Sequence, residues 1–270
     1  MESGKTRRLR RIFRNDGRTV IIPMDHGVSI GPIHGLEDMA RIVDDVSQGE
    51  ADAVLVHAGI AKTVDTKRLG LILHLSGATR LSSDPNWKTQ VSTIKEALRL
   101  GADAVSVHIN VGSLREQDML DRFSHIVEEC DDLGVPTLAM MYPRGPGVKN
   151  EHLFDVVSHA ARLGYELGAD IVKTNYTGDI DSFRNVIETV KVPVVIAGGP
   201  RASNDKEALQ MISDSIKAGA AGVSIGRNVF QHDDPTRMTM ALVDIVHNGA
   251  TASQALTILG EKTERVLATT

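Results

Sequence analysis

A closed α/β barrel, the single-domain (β/α)8 or TIM barrel, is the fold that this sequence predicts, on three observations. One turn-and-strand unit occurs four times, as GEADAVLVH from Gly49, GADAVSVH from Gly101, GADIVKTN from Gly168 and GAAGVSIG from Gly219, an internal repeat. The copies begin 52, 67 and 51 residues apart, about twice the length of one strand-helix unit. A second class of apolar run fills the gaps: TVIIPMDHG from Thr19, LGLILHLSG from Leu69, PTLAMMYPRG from Pro136 and VPVVIAGGP from Val192. Eight short runs rich in Val, Ile and Leu, separated by amphipathic helical stretches, read as parallel strands buried on both faces. A quarter-turn repeat of eight such strands favours closure over an open, doubly wound sheet.

The elements follow in chain order. Residues 1–18 form a basic segment with Lys5, Arg7, Arg8, Arg10, Arg11 and Arg14, expected as an amphipathic helix capping the bottom of the barrel, solvated or touching another subunit. A nucleic-acid contact and a targeting peptide are its other readings; acidic residues follow too soon, and no cleavable apolar segment does, for the last. The barrel is expected over residues 19–249. Ser113 through Glu116 reads as a capping box, Asn150 precedes a second periodic run, Ser203 or Asn204 a third, and Gly101, Gly134, Gly168 and Gly219 close helices. Residues 250–270 are expected as a C-terminal helix.

Composition sets limits. A chain of 270 residues, 41% hydrophobic, is long enough for one barrel with a substantial core and has no room for a second domain. Its net charge of −5 provides no global field toward nucleic acid or a membrane, and no apolar run approaches the ~18 residues that span a bilayer. The single cysteine, Cys130, excludes an internal disulfide and sits in a helical run as a packed thiol, which points to a cytoplasmic setting.

The register of the repeat singles out Lys173. Aligned on the turn, Leu55, Ser106, Lys173 and Ser224 share one position. Side chains on a strand alternate faces, so Val54, Val105, Val172 and Val223 face the helices and the Lys173 layer fills the barrel axis. His57, His108, Asn175 and Gly226 form the next layer, toward the carboxyl-end mouth. A lysine there either pairs with a carboxylate to plug the barrel or serves as a nucleophile. An ordinary lysine is neutral in only about one molecule in a few thousand at pH 7; desolvation lowers its pKa and makes it apt for Schiff bases.

Two strand ends offer it proton carriers. The first run ends in Asp25, His26, Gly27, Val28 and Ser29, the fifth in Tyr142, Pro143 and Arg144. Asp25 reads either as a helix N-cap or, with Tyr142, as a partner that serves carbinolamine dehydration and the alkoxide of carbon-carbon cleavage. His26, His57, His74 and His108 also end strands, but no helical ligand spacing marks a metal site. The last two runs end in Gly198 with Gly199 and in Gly226 with Arg227, before a small helix expected from Asn228 or Phe230. Paired glycines at those two strand ends form a phosphate seat.

MDHGVS at Met24, YPRG at Tyr142, VKTNYTGD at Val172, AGGP at Ala197 and GRNVFQ at Gly226 together resemble the DhnA-type class I aldolases, the archaeal-type Schiff-base family, from about Thr19 to Gln231. The resemblance implies that Lys173 forms the imine, Asp25 is the proton acceptor and Tyr142 the proton donor. It implies substrate contacts from Asp25, His26, Gly27, Val28, Ser29, Tyr142, Pro143, Arg144, Lys173, Gly198, Gly199, Gly226 and Arg227, with no metal and no cofactor. The wording MDHGVSIGPI, HLSG and AMMYPRG is similar to that of the family's transaldolase-type synthases. That implies a phosphorylated ketose donor, 6-deoxy-5-ketofructose 1-phosphate, and an aldehyde acceptor, L-aspartate semialdehyde, on an alternative route to 3-dehydroquinate and the aromatic amino acids. It also implies a homo-oligomer, with a decamer as the family-based guess. A class I fructose-bisphosphate or related phosphosugar aldolase is the second reading. A phosphate-cofactor barrel such as a flavin-dependent oxidoreductase, with Lys173 only an electrostatic partner, is the third, and an idle phosphosugar sensor the fourth; Asp25 and Tyr142 argue against both.

Overall fold

Every long apolar run becomes a strand because each is covered on both faces. The computed structural model describes residues 3–260. Its strands are β1 (Thr19–Pro23), β2 (Ala53–Val56), β3 (Gly70–His74), β4 (Ser76–Gly77), β5 (Thr89–Gln90), β6 (Ala104–Val111), β7 (Thr137–Pro143), β8 (Ile171–Thr174), β9 (Val194–Ala197) and β10 (Gly222–Ser224). Eight of them close in the order β1-β2-β3-β6-β7-β8-β9-β10, each paired in parallel with its neighbours. The barrel is the fold that the repeat predicts. The antiparallel pair β4-β5 was not anticipated; two-residue strands carry no apolar run to read.

The register has the expected two-layered core. Val54, Val105, Val172 and Val223 pack in the outer cluster with the helices, whereas Leu55 joins Ile21, Ile72, Leu138, Met140, Ile171 and Val195 inside the barrel. Cys130 is fully buried on the helix Glu116–Leu133, and burial pushes its thiol up to about 11. Among the described residues no helix is long and apolar enough to cross a membrane.

Two expected helix starts are corrected. The capping box at Ser113 does not form: the helix Glu116–Leu133 begins with Arg115 as N-cap and no side-chain cap. Ser113 stands two residues too early, and its hydroxyl accepts from the Arg115 N–H instead. Asn150 likewise closes a local turn onto the His152 N–H, and the following helix starts at Phe154. Asn204 does cap its helix, accepting from Glu207 N–H. Gly134 and Gly219 cap helices in the left-handed conformation. Gly101 and Gly168 adopt positive φ just past Leu100 and Leu167.

The turn of the repeat explains the basic N-terminal segment. Asp52, Asp103 and Asp170 each accept a hydrogen bond from a backbone N–H at the start of the preceding barrel strand: Val20, Leu71 and Thr137 respectively. Each also meets a cation of that segment, Arg14, Arg11 and Lys5. Ser3 caps the helix Gly4–Leu9, Ile12 is fully buried in the inner cluster, and Arg8 donates to the Gly134 carbonyl. Residues 3–18 thus lie across the amino-terminal end of the barrel. The fourth copy replaces the aspartate by Ala221 and follows it with Gly222, whose φ is +144° and where a Cβ would stand 2.0 Å from the Thr19 carbonyl oxygen. At the other terminus the helix Ala252–Gly260 packs on the outer layer; the rest of the expected C-terminal helix, and residues 1 and 2, lie outside the described residues.

Removing the Asp170 carboxylate leaves the buried Thr137 N–H unpaired and Lys5 with only Asp131 as its counter-charge among the described residues. Asp170→Ala is therefore expected to lower unfolding stability by about 1–3 kcal/mol, measured by urea denaturation, with the barrel's circular-dichroism spectrum retained.

Candidate active site

Lys173 lies on β8 and is 5% exposed, inside the barrel as the register requires, in the layer of Leu55, Ser106 and Ser224. Burial pushes its ammonium down to about 8; Arg144 and Arg227 add repulsion, and Asp25 opposes them. Asp25 follows β1 at the N-cap position of the helix His26–Ile30, yet its side chain makes no cap hydrogen bond. Its carboxylate is turned to the barrel mouth, 3.7 Å from His74 Nε2 and 3.6 Å from His26 Nδ1. Burial alone would raise the Asp25 carboxyl, but His74, His26, Lys173 and His57 hold it well below the usual carboxylate range. His74, pushed down to about 4 chiefly by burial, is neutral at pH 7, so the standing counter-charge to Asp25 there is the Lys173 ammonium.

Tyr142 ends β7 and is buried in the inner cluster. Burial, with Asp25 and Glu151, pushes its phenol far above the ordinary value, against Arg144 and Arg227. The hydroxyl stays protonated and is poised to donate. Arg144 stacks its guanidinium 4.4 Å from the Tyr142 ring centroid and pairs with Glu151 at 2.6 Å; Pro143 is buried behind it. These residues, on or just after β1, β2, β3, β7, β8 and β10, form one electrostatic cluster.

The glycine pairs sit beside it. Gly198 follows β9, and Gly199 adopts a φ of +64°. Gly226 is buried, and a Cβ there would stand 2.5 Å from the Pro23 carbonyl oxygen and 2.9 Å from His26 Cε1; only hydrogen fits. The short helix runs from Arg227 to Phe230, one residue earlier than the first expected start, so Arg227 opens it. Arg227 Nε and His26 Nδ1 are buried with no hydrogen-bond partner among the described residues. Gly27 and Val28 are exposed and line, with Asp25 and His57, a cleft of about 570 Å³ floored by Ile33, Leu36, Met39 and Ile60. The Ser29 carbonyl accepts from Arg80 N–H.

The structure adds groups that the candidate set omits. His74 Nδ1 and Ser106 Oγ share a 2.7 Å hydrogen bond, and the His57 and His74 rings meet edge-on at 5.0 Å, forming a neutral wall around Asp25. His108 Nε2 meets Asn110 Oδ1 at 2.8 Å, and its ring packs edge-on to Tyr142. The repeat register marks His57 and His108 as mouth residues; nothing in it assigns them a partner. Among the described residues no group of His, Cys, Asp or Glu is arranged to hold a metal ion. An amine near neutrality, a carboxylate and a protonated phenol in one electrostatic cluster suit proton-assisted imine chemistry.

The sequence matches the DeoC/LacD family of aldolases over residues 19–232. The chain belongs to that family. It is 47% identical over 261 residues to the 2-amino-3,7-dideoxy-D-threo-hept-6-ulosonate synthase of Halobacterium salinarum, covering 96% of this chain and 97% of that one. A 2-amino-4,5-dihydroxy-6-oxo-7-(phosphonooxy)heptanoate synthase of Streptomyces griseus is 40% identical over 252 residues, 92% of each chain. Among solved structures, an archaeal fructose 1,6-bisphosphate aldolase superposes with a TM-score of 0.86 at 33% identity, over 90% of this chain and 99% of that one. Another such aldolase, with its catalytic lysine covalently bound to the carbinolamine intermediate, gives 0.84 at 32% identity, over 89% and 98%. The enzyme is thus a lysine Schiff-base transferase or lyase.

Only the neutral amine attacks a carbonyl. With Lys173 pushed down to about 8, the neutral fraction grows tenfold per pH unit below that value and saturates above it. Borohydride trapping of a carbonyl compound on Lys173 is expected to rise from pH 6 to about 8 and then level off; an ordinary lysine would keep rising past pH 9.

Proposed function

We propose that the enzyme is a transaldolase-type synthase with 2-amino-3,7-dideoxy-D-threo-hept-6-ulosonate synthase activity. One observation carries this reading: a buried amine whose pKa lies near neutrality, sharing the field of Asp25, Arg144 and Arg227 with Tyr142 at the carboxyl end of the barrel. The wording of its relatives supports the substrate assignment, since the Halobacterium salinarum and Archaeoglobus fulgidus proteins, at 47% and 48% identity, bear that name.

Lys173 attacks the C5 ketone of 6-deoxy-5-ketofructose 1-phosphate, and loss of water from the carbinolamine leaves a protonated imine. Asp25 accepts the proton of the hydroxyl whose oxygen becomes the aldehyde. The carbon-carbon bond then breaks, its electron pair passes to the imine, and hydroxypyruvaldehyde phosphate departs. The enamine left on Lys173 adds to the aldehyde carbon of L-aspartate semialdehyde, whose oxygen takes a proton, and hydrolysis frees the amino-heptulosonate. Tyr142, kept protonated by burial, donates at the carbinolamine and alkoxide stages. Gly198, Gly199, Gly226 and Arg227 form the phosphate seat, where a buried Arg227 N–H lacks any other partner and glycine lets backbone approach the anion. Asp25 to Ser29, just past β1 and adjoining Gly226, and Tyr142 to Arg144, at the end of β7, supply the remaining substrate contacts. The assembly expected from the resemblance, a homo-oligomer, belongs to the same proposal.

The second reading, a class I fructose-bisphosphate aldolase, is favoured by the solved structures it superposes on. Incubation with the ketose phosphate and L-aspartate semialdehyde separates the two: a seven-carbon amino-ulosonate detected by mass spectrometry is the expected product. Triose phosphates from fructose bisphosphate, with no use of the semialdehyde, would replace this reading by the second.

Borohydride reduction in the presence of the donor is expected to place the adduct on Lys173, identified by peptide mass analysis, and Lys173→Arg to abolish it. Asp25→Asn and Tyr142→Phe are expected to lower kcat by about 10²–10⁴-fold with the fold intact. Absence of any adduct with every ketose phosphate tried would refute the imine.

A further inference from the structure

We propose that Lys88, acting with Arg144, seats the carboxylate of the entering aldehyde and so determines which acceptor the enzyme uses. This deepens the synthase reading and rests on it. Lys88 stands just before β5, in the excursion that leaves β3 through β4 and returns over the mouth of the barrel. No repeat or motif marks it.

The excursion is fastened at named points. The Asn86 carbonyl accepts from Asn110 Nδ2 at 2.6 Å, and the Arg115 guanidinium stacks 4.3 Å from the Trp87 ring centroid. Asn110 in turn holds His108, whose ring packs on Tyr142, and Arg144 covers that same Tyr142 ring. One chain of contacts therefore joins the Lys88 loop to the proton donor and to Arg144. Lys88 Nζ commits one of its three donors to the Pro85 carbonyl at 2.8 Å and remains half-buried.

The charges there are unbalanced. Burial depresses the Lys88 ammonium, Arg144 adds repulsion, and only Asp25 and Asp84 oppose them. Arg144 divides its charge with Glu151, while Asp84 is occupied in accepting from the Asn86 and Trp87 N–H groups. Two cations sharing one partly desolvated field repel each other, and an anion between them relieves that repulsion. In barrel order this pair stands over β3 to β7, and the glycine seat stands beyond β8 on β9 and β10. Lys173 lies between the two, so one anion is held on either side of the imine.

The chemistry of the product identifies the second anion. An amino-ulosonate and a 2-amino-heptanoate, the products for which the relatives are named, both end in a carboxylate that the accepted aldehyde must bring. The ketone of these products, at carbon six, marks the end that lysine holds. The carboxylate therefore lies at the end remote from Lys173. A lysine and an arginine together offer it point charge and a planar fork.

The test compares Lys88→Met with the wild-type enzyme in separate half-reactions. The KM for L-aspartate semialdehyde is expected to rise about 10–100-fold, the loss of one charge-assisted hydrogen bond, with kcat at saturation within about threefold. Release of the phosphorylated aldehyde from the donor, which precedes acceptor binding, keeps its rate. An uncharged acceptor, propionaldehyde, is used equally by both proteins, and Lys88→Arg recovers most of the lost affinity. An unchanged KM for the semialdehyde, or an equal loss with propionaldehyde, overturns the proposal. A parallel fall in donor cleavage assigns Lys88 to the donor phosphate and overturns it too. Titration calorimetry with L-2-aminobutyrate, the acceptor lacking its aldehyde, decides independently of turnover: wild-type binding that Lys88→Met does not weaken refutes the seat. If neither protein makes the seven-carbon product while binding still depends on Lys88, it is the synthase reading that fails.

Discussion

Desolvation of one ammonium group, opposed by one carboxylate, is the constraint around which the mouth of this barrel is built. Lys173 occupies a layer whose other members are Leu55, Ser106 and Ser224, and at 5% exposure its ammonium is largely desolvated. Asp25 returns part of that loss by coulombic attraction, but Arg144 and Arg227 subtract from it. The balance leaves an amine that shares its proton readily near neutral pH. The same low-polarity surroundings keep Tyr142 protonated and His74 neutral. Three groups with very different ordinary pKa values thus take up complementary states for one physical reason, and the surrounding burial sets all three.

The two ends of the barrel manage charge in opposite ways. At the amino-terminal end Asp52, Asp103 and Asp170 each satisfy a backbone N–H and a cation of the N-terminal segment. At the carboxyl end Lys173, Lys88, Arg144 and Arg227 face Asp25 and Glu151, with an Arg227 N–H left unpaired. Charges at the bottom satisfy one another, whereas the top leaves a buried donor over. The separation is the usual division of this fold between a stabilising bottom and a reactive top, here readable residue by residue.

Much of this was legible in the chain. Strand periodicity and the four-fold turn located the barrel, since a side-chain period of two leaves no freedom about which residues face inward once the turns are aligned. That reasoning sent Lys173 inward and Val172 outward, as the structure has them. It could not see the role of the repeat's aspartates, whose partners lie about 32 to 165 residues away in sequence. It misplaced two helix starts because Ser113 and Asn150 carry the right side chains for a cap but sit in turns that end before the helix does.

Sequence by itself determined the closed barrel, the layer of each strand residue and the strand-end groups of the mouth, because these follow from local periodicity. Tertiary structure alone decided which of those groups share an electrostatic field. Asp25 is released from helix capping to face Lys173, His74 is wedged neutral between Asp25 and Ser106, and Lys88 is carried over the mouth by an excursion with no periodic signal. Coulomb energy and desolvation depend on distances in space between residues far apart along the chain, and no one-dimensional pattern records those distances.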